Sequence, residues 1–98
     1  MAAMWRMSGH YFGARVGAKL FTYKGKQAGR FEGNDIYGAD GRYLGEVHGQ
    51  DRLRTNLSKL GSPSSGFTPD FSSQGMGSLM TPLGLTSGYR DFPSADDF

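Results

Sequence analysis

Hydrophobic and polar positions repeat along this chain with a period of sixteen residues, and ten of the eleven glycines between Gly9 and Gly61 fall into that register. A period of this length marks a tandem structural unit. From Met4 the units are MWRMSGHYFGARVGAK, LFTYKGKQAGRFEGND, IYGADGRYLGEVHGQD and RLRTNLSKLGSPSSGF, the last decaying into a different kind of sequence. Two kinds of turn alternate within a unit. At Ser8-Gly9, Lys24-Gly25 and Asp40-Gly41 glycine stands second, as a type I′ turn prefers; at Gly17-Ala18, Gly33-Asn34 and Gly49-Gln50 it stands first, as in type II′. The stretches between them, such as 35–39 and 26–32, are five and seven residues long and predict antiparallel strands.

Two-residue turns would set Trp5 opposite Phe12, Phe21 opposite Ala28, Tyr37 opposite Leu44 and Leu53 opposite Leu60. Trp5, Phe21, Tyr37 and Leu53 are therefore the expected core column, while Leu20, Phe31, Ile36 and Val47 give the sheet a second apolar face. Both faces cannot stay wet, so the sheet must fold over on itself, or be covered by a second copy or by the rest of the chain. Gly13, Gly29, Gly45 and Gly61 recur in mid-strand, where glycine signals a bulge, a sharp bend or a close backbone approach. The expectation is an all-β domain over residues 4–61: four hairpins in a pseudo-fourfold, flower-like array around a glycine-lined centre.

Composition sharpens this. A core of about sixty residues is marginal, and with no cysteine in the chain disulfides and thiolate ligands are unavailable, leaving self-association as the expected source of extra stability. The net charge of +2 hides an asymmetry: residues 1–60 carry +5 and residues 61–98 carry −3. No run of eighteen apolar residues and no basic leader occurs, which predicts cytoplasmic residence and no membrane partner. GHYFGARVG has the spacing of a membrane-helix contact, but the sixteen-residue period accounts for it.

The run LFTYKGKQAGRFEGNDIYGADGRYLGEVHGQDRLRTN resembles the 4-fold beta flower family. The shared elements are Leu20-Phe21 and Ile36-Tyr37, then Lys24-Gly25-Lys26 and Asp40-Gly41-Arg42, then Ala28-Gly29 and Leu44-Gly45; the closing YRDFPSADDF also resembles tails of some members. The resemblance implies a small bacterial protein of hairpin architecture. It implies no activity and transfers no functional residue.

Residues 62–98 hold all four prolines and many serines and glycines, a composition that predicts an irregular tail. Apolar residues nevertheless punctuate it, and its tip joins Tyr89, Asp91, Phe92, Asp96, Asp97 and Phe98 into an acidic, aromatic docking segment. That segment is expected to bind its own core, a neighbouring subunit or a partner protein. The alternative is a single-stranded nucleic-acid surface built from Lys24, Lys26, Arg30, Arg42, Tyr43 and Arg54, cations that follow a backbone with rings that stack bases. His10 and His48 lack metal-ligand spacing, and no nucleophile and base stand in a recognisable motif. The sequence thus predicts a non-catalytic interaction or assembly module without metal or cofactor.

Overall fold

The structure, a computed structural model, describes all 98 residues. It is all-β: β1 (Ala2–Arg6), β2 (Tyr11–Val16), β3 (Lys19–Thr22), β4 (Gln27–Glu32), β5 (Asp35–Tyr37), β6 (Tyr43–His48), β7 (Arg52–Asn56) and β8 (Tyr89–Asp91). Each of the first seven strands pairs antiparallel with the next, and β1 closes onto β7 through Trp5↔Arg52 and Arg6↔Leu53. An odd number of up-and-down strands brings the first and last side by side in the same direction, so this seam is parallel. The result is a closed seven-stranded mixed barrel with β8 added against the far half of β7. It is not four petals radiating from a centre.

The tip turns explain much of the difference. Gly9 N–H donates to Arg6 O at 3.0 Å and Arg6 N–H to His10 O at 2.9 Å; Thr22 to Lys26 and Gly38 to Arg42 repeat the arrangement. Only the glycine of each tip has positive φ, 94° at Gly9, 92° at Gly25 and 83° at Gly41, whereas type I′ demands positive φ at both central residues. These tips are three-residue loops with glycine in a bulge position. Gly17 and Gly33 lead two-residue turns with φ 59° and 62°, as predicted, but the third such loop, opening at Gly49, spans an extra residue between His48 and Arg52.

Register shifts then recur beside Met4/Trp5, Leu20/Phe21 and Ile36/Tyr37, each bulge adding one residue to the second strand of its hairpin. Trp5 therefore pairs with Tyr11, Phe21 with Gln27 and Tyr37 with Tyr43. The slip turns over the predicted core column. Met4, Leu20 and Ile36 point into the barrel, while Trp5 and Tyr37 are only half-buried and Phe21, though buried, lies outside the main cluster. Leu53 keeps its predicted place because the longer loop at Gly49 restores its register. Phe31 joins the same interior with Val47 packed on it, so the supposed second face is largely the inside of the barrel.

Gly13, Gly29 and Gly45 follow the bulges, where a Cβ would collide with the next strand: with the Phe21 carbonyl at Gly13, the Ile36 side chain at Gly29 and the Arg54 carbonyl at Gly45. Gly61 is no member of that column. It has φ 88° and open space around it, because the fourth unit forms no hairpin. Leu57 stands where the other units place a tip glycine, and positive φ is costly there. Instead the Asn56 side chain caps a short 3-10 helix over Leu57–Lys59, and Leu60 stays largely exposed rather than facing Leu53.

The tail is an ordered strap. It leaves β7, passes the three tips in reverse order and returns to β7 as β8. Ser64 N–H donates to Gly41 O at 2.7 Å, Ser72 N–H to Gly25 O at 2.8 Å and Met80 N–H to Gly9 O at 2.9 Å. One strap residue in eight thus meets one barrel residue in sixteen. No buried side-chain nitrogen or oxygen lacks a partner.

Candidate functional site

The C-terminal segment is positioned by β8, whose pairing Arg54↔Asp91 aims the following residues at the open end of the barrel. The Asp91 carboxylate accepts from the N–H groups of Met7 and Ser8 at 2.8 and 3.1 Å and lies 3.6 Å from the Arg6 guanidinium. Arg6 in turn donates to Phe92 O at 2.7 Å. Phe92 is fully buried, edge-on to Phe12 at 5.2 Å, and Phe98 meets both rings at 5.7 and 6.3 Å. Asp96 accepts from the Tyr23 hydroxyl at 2.8 Å and from Lys24 at 3.0 Å; these bonds hold its carboxyl below the usual range and push the Tyr23 phenol up. Asp97 caps the last helical turn by accepting from Ser94 N–H at 3.0 Å, and the Tyr89 ring lies under Arg54 at 3.8 Å. In this single chain the segment lies on the chain's own barrel and stoppers it.

The residues proposed for nucleic acid are dispersed by these contacts. Arg54 donates to Glu46 at 2.9 and 3.0 Å, Arg30 pairs with Glu32 at 3.2 Å and donates to Ser65 O at 2.7 Å, and Lys24 is held by Asp96. Tyr43 is buried, which raises its phenol, and its oxygen accepts from Asn56 N–H at 3.2 Å. Lys26 and Arg42 remain exposed; Lys26 has no side-chain partner, and Arg42 reaches Asp40 only at 3.9 Å. Lys26 and Arg42 are the solvated cations left of that set, and Tyr43, its one ring, is buried rather than free to stack bases.

The strap presents a different surface. Because main-chain bonds hold it, its side chains face outward: Phe71, Met76 and Leu79 are 71%, 70% and 73% exposed, and Leu83 and Leu85 are also exposed. Bridge pairing places Phe71 opposite Lys26 and Pro63 opposite Arg42, and Leu79 lines a cleft with His10. Each tip therefore sets a basic or imidazole side chain beside an apolar one. Sequence reasoning saw these apolar residues singly and missed their order. The signal was present in the eight-residue recurrence of Ser64 and Ser72, of Ser65, Ser73 and Thr81, and of Asp70, Ser78 and Thr86.

Catalytic groups do not converge. The His10 ring shares a hydrogen with the Ser8 hydroxyl at 2.9 Å on the surface, and no three His, Asp or Glu side chains gather as metal ligands. The largest cleft, about 470 Å³, lies beside the third tip between Arg42, Tyr43, Leu60, Pro63 and Arg90; the sequence reading placed none of Leu60, Pro63 and Arg90 in a candidate site. Compared with known proteins, the chain matches no family model, no curated protein and no solved structure.

Proposed function

We propose that this chain is a non-catalytic interaction module whose strap presents apolar side chains, flanked by cations, to an acidic and apolar patch on a partner protein. The observation that carries the reading is the exposure of Phe71, Met76 and Leu79 on a segment fixed by main-chain bonds. Large apolar groups held in water contribute little to this fold, and a series of them along one fixed strap supports reading it as a contact surface. The neighbouring cations, Lys26 and Arg42, favour an acidic partner. The sixteen-residue recurrence of tips and bulges supports reading three of the units as one duplicated hairpin module, with the fourth place taken by β7 and β8. Cytoplasmic residence and membership of the bacterial 4-fold beta flower family belong to the same proposal, as does self-association through the strap.

Affinity capture and light scattering test it. The chain with Phe71, Met76 and Leu79 all replaced by serine should unfold at an unchanged temperature yet lose the partners, or the self-association, of the unaltered chain. Identical capture and identical mass for the two proteins would overturn the reading. Capture of nucleic acid, released by raising the salt, would favour the alternative.

A further inference from the structure

The cleft beside the third tip differs from the strap surface in being concave and in holding unspent charge. Its apolar wall is Leu44, Leu60 and Pro63, and Tyr43 also borders it. At its rim stand Arg42 and Arg90. Arg90 is exposed on β8 and makes no side-chain hydrogen bond or ion pair, although every other arginine in the chain except Arg42 is tied to a carboxylate, a carbonyl or a ring at shorter range, Arg52 to the Thr81 carbonyl at 2.6 Å. Arg42 has only Asp40, at 3.9 Å. Two guanidinium groups against one carboxylate leave a single positive charge over a hollow with one apolar wall. The volume, about 470 Å³, lies within the range of small-molecule sites.

We infer that this cleft binds a small monoanion carrying an apolar group, a carboxylate attached to an aromatic or branched chain. Arginine presents a planar fork that matches a carboxylate, and the rim's net charge favours a monoanion over a phosphate dianion. The apolar part of the ligand covers Leu44, Leu60 and Pro63. The site exists because the fourth hairpin does not form: the chain turns aside at Leu57–Lys59 and leaves the ground between the third tip and β8 uncovered.

Titration of the full chain with 3-phenylpropionate, followed by amide resonances, tests the assignment. Saturable shifts are expected at Gly41, Leu60, Gly61 and Ser62, and raised salt should weaken them. Arg42→Gln and Arg90→Gln should each reduce affinity about tenfold or more, the loss of one charge-assisted bond. Both side chains are solvent-exposed, so thermal unfolding should be unaltered. Three results would overturn the inference: no saturable shift; equal binding of the neutral 3-phenylpropionamide; or full affinity in the doubly substituted protein. Inorganic phosphate saturating the same resonances at lower concentration would overturn the apolar half and leave a plain anion site.

Discussion

Asp91 and Phe92 show how two adjacent side chains divide the work of holding the C-terminal segment. The carboxylate satisfies two tip amides, and the ring fills the barrel end against Phe12 and Gly45. Phe92→Ala should cost about 3–5 kcal/mol, as truncation of a buried aromatic does. Asp91→Ala should cost about 1–3 kcal/mol by leaving two tip amides without their acceptor and Arg6 without its carboxylate, though Arg6 keeps the Phe92 carbonyl. Denaturant unfolding checks both, and the reverse ranking would contradict the assignment. Among glycines, Gly17→Ala should cost about 1–2 kcal/mol, since its φ of 59° is strained for alanine in otherwise open space. Gly13→Ala should cost more, because the new methyl meets the Phe21 carbonyl, which belongs to the neighbouring strand and cannot yield alone.

The strap is joined to the barrel by carboxylates as well as by main chain. Glu32 accepts from the Ser64 hydroxyl, Asp70 accepts from Lys19 at 2.9 Å, and Asp96 from Tyr23 and Lys24; each carboxyl is held below its ordinary value, chiefly by these bonds. A depressed folded pKa means the attachment is complete above the ordinary values, 4.5 for Glu32 and 3.8 for Asp70 and Asp96, and is lost as pH falls through the lower folded ones. Protection of the Ser64, Ser72 and Met80 amides against hydrogen exchange, measured relative to the intrinsic rate at each pH, should therefore be lost in acid before that of β2 and β4; simultaneous loss would show that the carboxylates do not govern the strap. The strands themselves were legible, because glycine and alternating apolar residues mark turns and ribbon faces. Their facing partners were not. One extra residue at Phe12, Ala28 and Leu44 inverts each ribbon, and nothing in a local pattern separates a bulge from a regular pair. The missing glycine at Leu57 was visible and marks where the fourth hairpin fails.

Closure depends on pieces far apart in sequence. The seam between β1 and β7 has only two residue pairs, and the space beyond it is taken by β8. Removing residues 89–98 should expose Phe12 and the free edge of β7 together, giving a chain that binds a hydrophobic dye and unfolds without a sharp transition. A truncated chain that melts as steeply as the full one would show that the barrel stands without its stopper. The candidate site was the least legible part: the cleft is bounded by residues from the third tip, the 3-10 turn and β8, which only the circuit of the strap brings together.

That circuit has a consequence during synthesis. Every stave of the barrel has been synthesised once Asn56 is added, but Phe92 and Phe98 follow only after the whole strap has been made. The nascent chain therefore passes through an interval with an unsealed, oily mouth, and slowing translation between Asn56 and Tyr89 should lengthen its dependence on chaperones.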